Sequence, residues 1–461
     1  MTPRALFRPV DIASLVAFRI AFGGVMLIAI GRYFAYDWIG EFFLAPQRFF
    51  PYPGFEWITP LPGAAMYGLY AVLGGLALCV ACGLWYRPSV ALLGLGFTYA
   101  HLIDRTNYLN HYYLLSLLCL LLLIVPAHRA GSLDALRRPA LRATTVEAWV
   151  VWLLRFQLAV VYGFGALAKL NPDWLLRAQP LRIWLGANVD LPLLGVWLEE
   201  PWVAYAFSYA GLLFDATIVG FLLWRRSRPL AYAAVVGFHV LTALLFPIGL
   251  FPWIMIGLTP IFFAPDWPRR LLGRAAAIAR AARDRPPLMG RPPCERPTPT
   301  RLTPWQGATA LALGFYAALQ IALPLRHLAV PGQLYWDEQG FRFAWQIMVM
   351  EKYGQAAFDV RDPASGDTWH IAPRDYLTSL QTRMMATQPD MIHSFAGMLA
   401  DEFRRRGHPA VEVRADVRVT LNGRPHQLLI DPGVDLARAD LPAGWILPLA
   451  DAPPGRLAAA R

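Results

Sequence analysis

Charged residues are scarce in this chain of 461 residues: they make up 16%, whereas hydrophobic residues make up 56%. Soluble globular proteins carry about 25% charged residues. The composition therefore excludes an ordinary soluble protein and predicts a membrane protein with several spans and some soluble mass. The net charge of +11 does not indicate nucleic-acid binding, because the basic residues fall in loops between apolar segments, as the positive-inside rule describes.

The sequence also lacks the motifs of several enzyme classes. Its four cysteines are too few and too scattered for a disulfide framework. It contains no H-E-x-x-H, Walker or G-x-S-x-G motif, and no cluster of His, Cys and carboxylate residues has a convincing metal-ligand spacing. We therefore expect no metal. The first apolar segment lacks a small-residue cleavage site, so we predict a membrane helix rather than a signal peptide.

Lysine is nearly absent, since Lys169 and Lys352 are the two lysines among 42 basic residues. Lys169 follows a long apolar segment, where a helix is expected to reach the membrane surface. Arginine stays charged in proteins, whereas a desolvated lysine can lose its proton and act as a base. The alternative is that the side chain of Lys169 extends to the interface and keeps its charge in water.

The apolar segments predict eight or nine membrane spans. Some segments are shorter than the roughly 20 residues that a crossing needs. The segments lie at about 12–33, 64–84, 89–104, 110–126, 146–169, 203–224, 229–246, 250–264 and 305–324. With nine spans, the four arginine-bearing loops at 86–87, 128–142, 225–228 and 265–303 share one side with the N-terminus, which is predicted to be cytoplasmic. Lys169 then lies on the outer side.

The predicted fold class is mainly α, a polytopic membrane helical bundle with a small extracytoplasmic α+β domain at the C-terminus. We divide the chain into a membrane domain at 1–324, with a basic cytoplasmic loop at about 265–303 that is helical at 270–283, an α+β domain at 325–450, and a disordered tail at 451–461. Residues 374–407 are predicted to be helical. Asn-Gly at 422–423, between two alternating runs, predicts a β-hairpin.

Polar residues inside the predicted spans are candidates for a site, because charged groups in a membrane are costly and usually face a cavity or a partner. Arg155, Asp215 and His239 are such residues. The alternative for Arg155 and Asp215 is a buried structural ion pair. Asn110 and His111 lie at the predicted depth of Lys169, where they could complete a basic site with an oxyanion-binding element. The alternative for His111 is a structural hydrogen bond at a helix start.

Taken in order, several short motifs resemble the vitamin K-dependent gamma-carboxylase family, including its bacterial members with the horizontally transferred transmembrane (HTTM) domain. They extend over about residues 6–436. The motifs are Arg8-Pro9-x-Asp11, Phe18-Arg19, Asp104-Arg105-Thr106, Asn110-His111, Val161-Tyr162, Lys169-Leu170-x-x-Asp173-Trp174, Gly211-Leu212-Leu213-x-Asp215, Phe238-His239, Pro265-Asp266-Trp267, Trp345-x-x-Met348-Val349 and Asp431-Pro432-x-Val434-Asp435.

The resemblance implies an enzyme in which a membrane lysine deprotonates reduced vitamin K or menaquinone. Reaction with oxygen then gives a strong base and finally the epoxide, and the base removes a glutamate γ-proton so that carbon dioxide can add. The implied activity is a peptidyl-glutamate 4-carboxylase of the carbon–carbon lyase class with coupled quinol epoxidase activity. The implied catalytic residues are Lys169, His111 and Asn110. The implied quinone-binding residues are Tyr162, His239, Asp215, Arg155 and Trp345.

The implied partners are membrane lipid, the quinone and a glutamate-containing protein, with no nucleic acid, and the expected location is the bacterial inner membrane. The sequence departs from the animal enzymes at Met350, where they carry a histidine, and the region after the Asp431-Pro432 motif is shorter than theirs. These departures concern the glutamate side of the reaction. Two alternatives therefore stay open: a quinol epoxidase without carboxylation, and a non-catalytic lipid- or quinone-binding protein or transporter.

Overall fold

The structure is a computed structural model that describes residues 3–192, 194–273 and 303–450. The predicted tail at 451–461 lies outside the described residues. So does most of the basic loop at 265–303, including all but the first turn of the helix predicted at 270–283.

A helical bundle occupies the described residues up to 325. Its principal helices are α1 (Ala13–Ala35), α2 (Ala64–Cys82), α3 (Tyr86–Leu102), α4 (Asn110–Ile124), α5 (Ala148–Ala168), α6 (Pro201–Leu223), α7 (Arg228–Leu245), α8 (Phe251–Leu258) and α9 (Pro304–Leu325). Shorter helices are Pro3–Leu6, Leu133–Arg137, Pro172–Arg177, Leu181–Gly186 and Gly195–Leu198.

Six helices of the described residues are long and apolar enough to cross a membrane, namely α1, α2, α5, α6, α7 and α9. Helices α3, α4 and α8 have 17, 15 and 8 residues, although the 3-10 turn Thr259–Phe262 extends α8. The prediction of a mainly helical membrane protein is therefore confirmed. The count of eight or nine spans depends on the three shorter helices and stays a prediction.

The loops predicted to be cytoplasmic meet at one end of the bundle. Strand β1 (Pro9–Asp11) pairs antiparallel with β2 (Thr145–Glu147), which joins the N-terminus to the loop before α5. The fully buried guanidinium of Arg19 donates hydrogen bonds to carbonyls of the loop 127–131. These contacts agree with the predicted topology, in which the N-terminus and the arginine-bearing loops share one side.

The C-terminal region contains a four-stranded antiparallel sheet in the order β4-β3-β5-β6. Its strands are β3 (Lys352–Arg361), β4 (Thr368–Ile371), β5 (Glu412–Leu421) and β6 (Gln427–Leu428), and its helices are α10 (Ser379–Met385) and α11 (Pro389–Arg405). Alternate residues of β3 and β5 are buried and pack with the apolar face of α11 into one core. One hydrophobic face on a sheet and one on a helix bury each other, as a two-layer domain requires.

The sequence predictions for this region hold in part. Asn422 and Gly423 have φ angles of 51° and 76°, and strands β5 and β6 on either side of them pair antiparallel, so the predicted hairpin is confirmed. The single helical stretch predicted at 374–407 is wrong, because the helix breaks between α10 and α11. Gln388, directly before Pro389, has φ −120° and ψ 111°, the extended conformation that a following proline favours.

A buried ion pair fixes the sheet to the helical bundle. Asp173, in the helix Pro172–Arg177, accepts hydrogen bonds of 2.7 Å from both terminal nitrogens of Arg424. The side-chain amide of Asn422, in the hairpin turn, donates to the same carboxylate at 2.9 Å. Burial opposes ionisation of Asp173, but the hydrogen bonds from Arg424 and Asn422 outweigh it and hold the pKa of this carboxyl below its ordinary value.

We predict that Arg424→Ala lowers the free energy of unfolding by about 1.5–3 kcal/mol, because it removes two buried hydrogen bonds to the carboxylate of Asp173, which keeps Arg177 and Asn422 as partners. The matched control is Arg418→Ala, since Arg418 is exposed on the same hairpin and such surface changes cost at most about 0.5 kcal/mol. Thermal unfolding in detergent measures both. Equal effects of the two substitutions would contradict the interface role.

The same ion pair predicts a pH dependence. The folded-state pKa of Asp173 is lower than its unfolded value of about 3.9, so its stabilisation is complete above that unfolded value and is lost as the pH falls through the folded value. Arg424→Ala should therefore weaken the acid dependence of the melting temperature.

Candidate active site

The segment around Lys169 forms a sharp corner between two helices. Lys169 follows the last residue of α5 as its C-cap, and the side chain of Asn171 caps the next helix by accepting a hydrogen bond from the Trp174 amide at 2.9 Å. Pro172 occupies the first position of that helix, where its missing N–H costs nothing. The indole of Trp174 donates to the carbonyl of Ser208 in α6 at 2.8 Å. The corner thus fixes Lys169 against α6.

The amine of Lys169 is buried in an ion pair. Its Nζ donates to Oδ2 of Asp215 at 2.7 Å and to the carbonyl of Gly165 at 3.1 Å, and it lies 5.3 Å from the centre of the Trp174 ring. Lys169 is 5% exposed. The side chain therefore does not extend to the water interface. Asp215 pairs with Lys169 and not with Arg155, which differs from the structural alternative considered for these two residues.

Two glycines make space for this ion pair. A Cβ atom on Gly165 would lie 3.2 Å from Oδ2 of Asp215, and one on Gly211 would lie 3.9 Å from Cε of Lys169. Gly163, two residues before Gly165, faces open space. A larger side chain at 165 would therefore displace the carboxylate, whereas one at 163 would not.

The ion pair lies at the wall of a small apolar chamber of about 70 Å³. Its polar lining residues are Lys169, Asp215, Tyr162, His239 and Thr242. Its apolar lining includes Val161, Trp174, Leu181, Phe207, Phe238, Phe246, Ile248, Phe251, Ile347 and Met348. Small-molecule sites usually have about 300–1,000 Å³. The chamber must therefore widen before it holds a bicyclic ring.

A second cavity of about 500 Å³ adjoins the chamber. Phe246, Ile248 and Met348 line both cavities and form the partition between them. The second cavity is also lined by Glu351, whose carboxylate accepts a hydrogen bond of 2.6 Å from the indole of Trp184. Movement of the three partition side chains would join the two volumes and make room for a ring beside Lys169.

His239 offers a free polar atom to the chamber. Its Nε2 and the hydroxyl of Tyr162 share a hydrogen bond of 3.2 Å. Its Nδ1 is buried and has no hydrogen-bond partner among the described residues. Buried polar atoms are nearly always partnered in proteins, so this nitrogen has capacity for one further hydrogen bond. Both Tyr162 and His239 line the chamber, and their role as quinone-binding residues stays a prediction.

Asn110 and His111 lie next to the chamber but do not line it. The ring of His111 is separated from the ring of His239 by Phe251, whose centroid is 6.3 Å from the first and 5.8 Å from the second. Asn110 donates from Nδ2 to the carbonyl of Gln346 at 3.1 Å. In the structure, Asn110 therefore holds the backbone at Gln346 in place. This contact differs from the direct contact with a quinol oxygen that the resemblance implied.

A short segment, residues 343–348, covers the chamber, and we call it the strap. Phe343, Trp345 and Met348 have φ angles of 64°, 55° and 53°, a left-handed conformation that costs non-glycine residues energy and clusters at functional sites. Ile347 and Met348 of the strap line the chamber. Trp345 does not line it, but packs against Tyr113 with ring centroids 4.9 Å apart.

Arg155 lies at the other end of α5, away from the chamber. Its Nε donates to the carbonyl of Ile261 and its Nη2 to that of Phe263, both at 2.8 Å. These contacts satisfy carbonyls of the turn that follows α8, at the end of the bundle that is predicted to be cytoplasmic. The expectation that Arg155 lines a quinone cavity is not met, because the same helix carries Lys169 at its opposite end.

Sequence reasoning missed the strap and the partition. Phe246, Ile248 and Met348 are apolar, and apolar residues carry no chemical signal that separates a partition from a core. Gly165 could have been recognised, because it lies four residues before Lys169 and therefore on the same helix face. Within the described residues there is no cluster of three or more potential metal ligands.

A helical membrane bundle with a buried amine–carboxylate pair beneath a C-terminal α+β region defines a polytopic membrane protein with a site at one end of its helices. The family model of the HTTM domain matches residues 7–267. The model of the vitamin K-dependent gamma-carboxylase, lumenal domain matches residues 305–452. The chain belongs to the vitamin K-dependent gamma-carboxylase family, and it is an integral membrane protein with a lumenal-type C-terminal domain. No solved structure is significantly similar to it.

We predict strong energetic coupling between Lys169 and Asp215. Each of Lys169→Met and Asp215→Leu should lower the free energy of unfolding by about 3–5 kcal/mol, because the remaining partner stays buried without a counter-charge. The double variant should lose less than the sum of the single losses. Thermal unfolding of the four proteins in detergent measures the coupling. Thr217→Val, on an exposed part of α6, is the control, and strictly additive losses would contradict the ion pair.

Proposed function

We propose that this protein oxidises a reduced naphthoquinone to its epoxide with oxygen and uses the strong base formed to carboxylate protein glutamate. The proposal rests on the family to which the chain belongs. The single observation that carries it is the Lys169–Asp215 pair, buried in an apolar chamber at the outer end of the bundle. A purely structural ion pair has no need of an adjoining cavity.

The pair acts as one proton-accepting unit in this proposal. The amine and the carboxylate together share one titratable proton, so the pair has no net charge. A neutral pair is the state that an apolar site tolerates best. A second proton, taken from a bound hydroxyl, leaves both groups protonated with a net positive charge beside the anion that forms. The role foreseen for a lone deprotonated Lys169 is thus shared with Asp215, whose Oδ2 lies 2.7 Å from the amine.

The lining of the chamber suits a reduced naphthoquinone. Aromatic and aliphatic side chains surround the pair, and the free Nδ1 of His239 provides a second polar contact for a ring oxygen. When bound, the reduced quinone supplies the reaction with oxygen that converts a weak base into a strong one. Lys169 and Asp215 take the first proton, Tyr162 orients His239, and the apolar walls exclude water from the base.

The cavity of about 500 Å³ beside the chamber is the proposed route for the glutamate side chain, because it shares the partition residues and reaches Glu351 in the C-terminal region. Met350, at the position where the animal enzymes carry a histidine, lines this cavity. That observation favours a second candidate function, quinol epoxidation without carboxylation. A non-catalytic quinone- or lipid-binding protein is the remaining alternative, and it predicts no epoxide at all.

We predict that Lys169→Met lowers the rate of epoxide formation at least about 100-fold, the usual contribution of a general base. The assay supplies reduced vitamin K or menaquinone and oxygen to purified protein in detergent, and it quantifies the epoxide by chromatography. The matched control is Lys352→Met, because Lys352 is also buried in an ion pair but lies in β3. Normal epoxide yield from folded Lys169→Met protein would remove the proposed role of the pair.

Gly165→Leu and Gly163→Leu test the location of the quinol in the same assay. Only the first fills space beside Asp215, so only the first should stop epoxide formation. Equal activity of both variants would place the quinol elsewhere.

We predict that a glutamate peptide incorporates labelled bicarbonate when reduced quinone and oxygen are present, and that Lys169→Met abolishes the incorporation together with the epoxide. The ratio of incorporated label to epoxide decides between the two enzymatic candidates. Epoxide without incorporation, over a range of glutamate peptides, would leave only the epoxidase function.

A further inference from the structure

Strand β3 has an open edge. All ten of its residues pair with β5 on one side, whereas on the other side only Phe358–Arg361 pair with β4. Residues 352–357 therefore have no neighbouring strand on the β4 side. Open strand edges template the pairing of another extended segment, and natural proteins usually blunt or cover them.

The backbone groups at this edge point outward in a defined pattern. The amide of Asp362 donates to the carbonyl of Asp367 on the β4 side, and the amide of Asn422 donates to the carbonyl of Glu351 on the β5 side. Even-numbered residues of β3 thus direct their N–H and C=O groups toward β4, as the alternation of antiparallel ladders requires. The N–H and C=O groups of Gly354 and Ala356 face the open edge, and neither residue has a hydrogen-bond partner there among the described residues.

The open edge forms the floor of a groove of about 670 Å³. Helix α10 and the segment 371–374 form its walls. At one end, β4 closes the groove beside Phe358. At the other end, the carbonyl of Ala386 lies so close to Gly354 that a Cβ atom there would be 2.5 Å away. The space along the edge admits about four extended residues, at roughly 3.3 Å per residue.

The walls are positively charged. Arg374 and Arg383 line the groove, and no carboxylate within the described residues pairs with either guanidinium. The acidic residue of the lining, Asp359, is engaged with His370 at 2.6 Å. Two unpaired guanidiniums beside a row of free backbone groups match an extended segment with carboxylate side chains, since arginine recognises carboxylates by paired N–H donors.

The groove lies close to the chamber along the chain. Met348 of the strap lines the chamber, and Gly354, the nearest residue with free backbone groups at the open edge, follows six residues later in β3. Six residues extend at most about 22 Å. An extended segment seated on the open edge would therefore begin within about 22 Å of the strap that covers the chamber.

We propose that the open edge of β3 binds an extended acidic peptide, which adds to the sheet as a strand through Ala356 and is held by Arg374 and Arg383. This binding mode takes affinity from the backbone and selectivity from side chains on alternate positions. The identity of the peptide as the glutamate substrate rests on the proposed function, whereas the binding itself does not.

The test measures the fluorescence anisotropy of a labelled peptide of alternating glutamate and valine on the full-length protein in detergent. Ala356→Pro removes the outward N–H without disturbing the pairing with β5, because proline is tolerated where the N–H points away from the ladder. We expect about tenfold weaker binding, the loss of about one hydrogen bond with some strain. The same peptide with N-methylated backbone amides should bind weakly to the unaltered protein.

The charge component is tested by Arg374→Gln combined with Arg383→Gln, which should weaken binding about tenfold and reduce its dependence on salt. The matched control is Arg414→Gln combined with Arg418→Gln, because these arginines are exposed on β5 of the same sheet. The peptide affinity of the control should lie within about twofold of that of the unaltered protein, because exposed charges outside the groove contribute little to binding. Equal binding by both double variants would overturn the charge assignment.

The results separate this inference from the proposed function. Full affinity of the N-methylated peptide, or no binding of the unmodified peptide to a protein that forms epoxide, would overturn the inference and leave the oxidation intact. Peptide binding by a protein that forms no epoxide would support the groove and contradict the proposed chemistry. The melting temperature of Ala356→Pro shows whether this variant folds. If it does not fold, the N-methylated peptide and the arginine variants decide whether the groove binds the peptide.

Discussion

The site depends on the need to balance a charge in an apolar surrounding. A lone ammonium at the end of α5 would lose its hydration without compensation, and the same is true of a lone carboxylate in α6. Lys169 and Asp215 neutralise each other at a distance of 2.7 Å, and Gly165 leaves space for the carboxylate against α5, since a Cβ atom there would lie 3.2 Å from Oδ2 of Asp215. The chamber, the partition and the strap are all arranged around this pair.

The C-terminal region has a direct part in the site. Its attachment through Asp173 and Arg424 starts only four residues after Lys169. The hydroxyl of Tyr108 accepts a hydrogen bond of 2.7 Å from the Phe343 amide, and Asn110 bonds the carbonyl of Gln346. The turn before α4 thus holds the strap at two points. The polar residues at this end of the bundle thus position the cover of the chamber, and the helices provide the ion pair.

Much of the fold could be predicted from the sequence because long apolar segments and turn residues are strong local signals. The six long apolar helices and the Asn422-Gly423 hairpin are of this kind. Lys169, Tyr162, His239 and Asp215 were predicted as site residues and line one chamber in the structure. The partnership of Lys169 with Asp215 was not predictable, because residues 46 positions apart meet only through helix packing.

The errors have the same origin. Arg155 is a cation in a membrane helix, like Lys169, so its residue type suggests a site. Its position along α5 nevertheless places it away from the chamber. The break between α10 and α11 was overlooked although Pro389 marks it, since a strong helical period on both sides hid the proline. The strap has no periodic pattern, and its left-handed residues are not the glycines that would have indicated such a conformation.

The scarcity of lysine has a consequence under the proposed function, in which a quinol enters from the lipid. Neutral primary amines add to quinone rings and become covalently attached to them. Both lysines of the chain are buried and hydrogen-bonded to carboxylates, so no lysine amine is displayed to a quinone arriving from the lipid. Guanidinium groups, which remain protonated and weakly nucleophilic, provide the surface charge instead. Under the proposed function, the composition thereby removes exposed lysine amines as sites of covalent attachment to a quinone in the membrane.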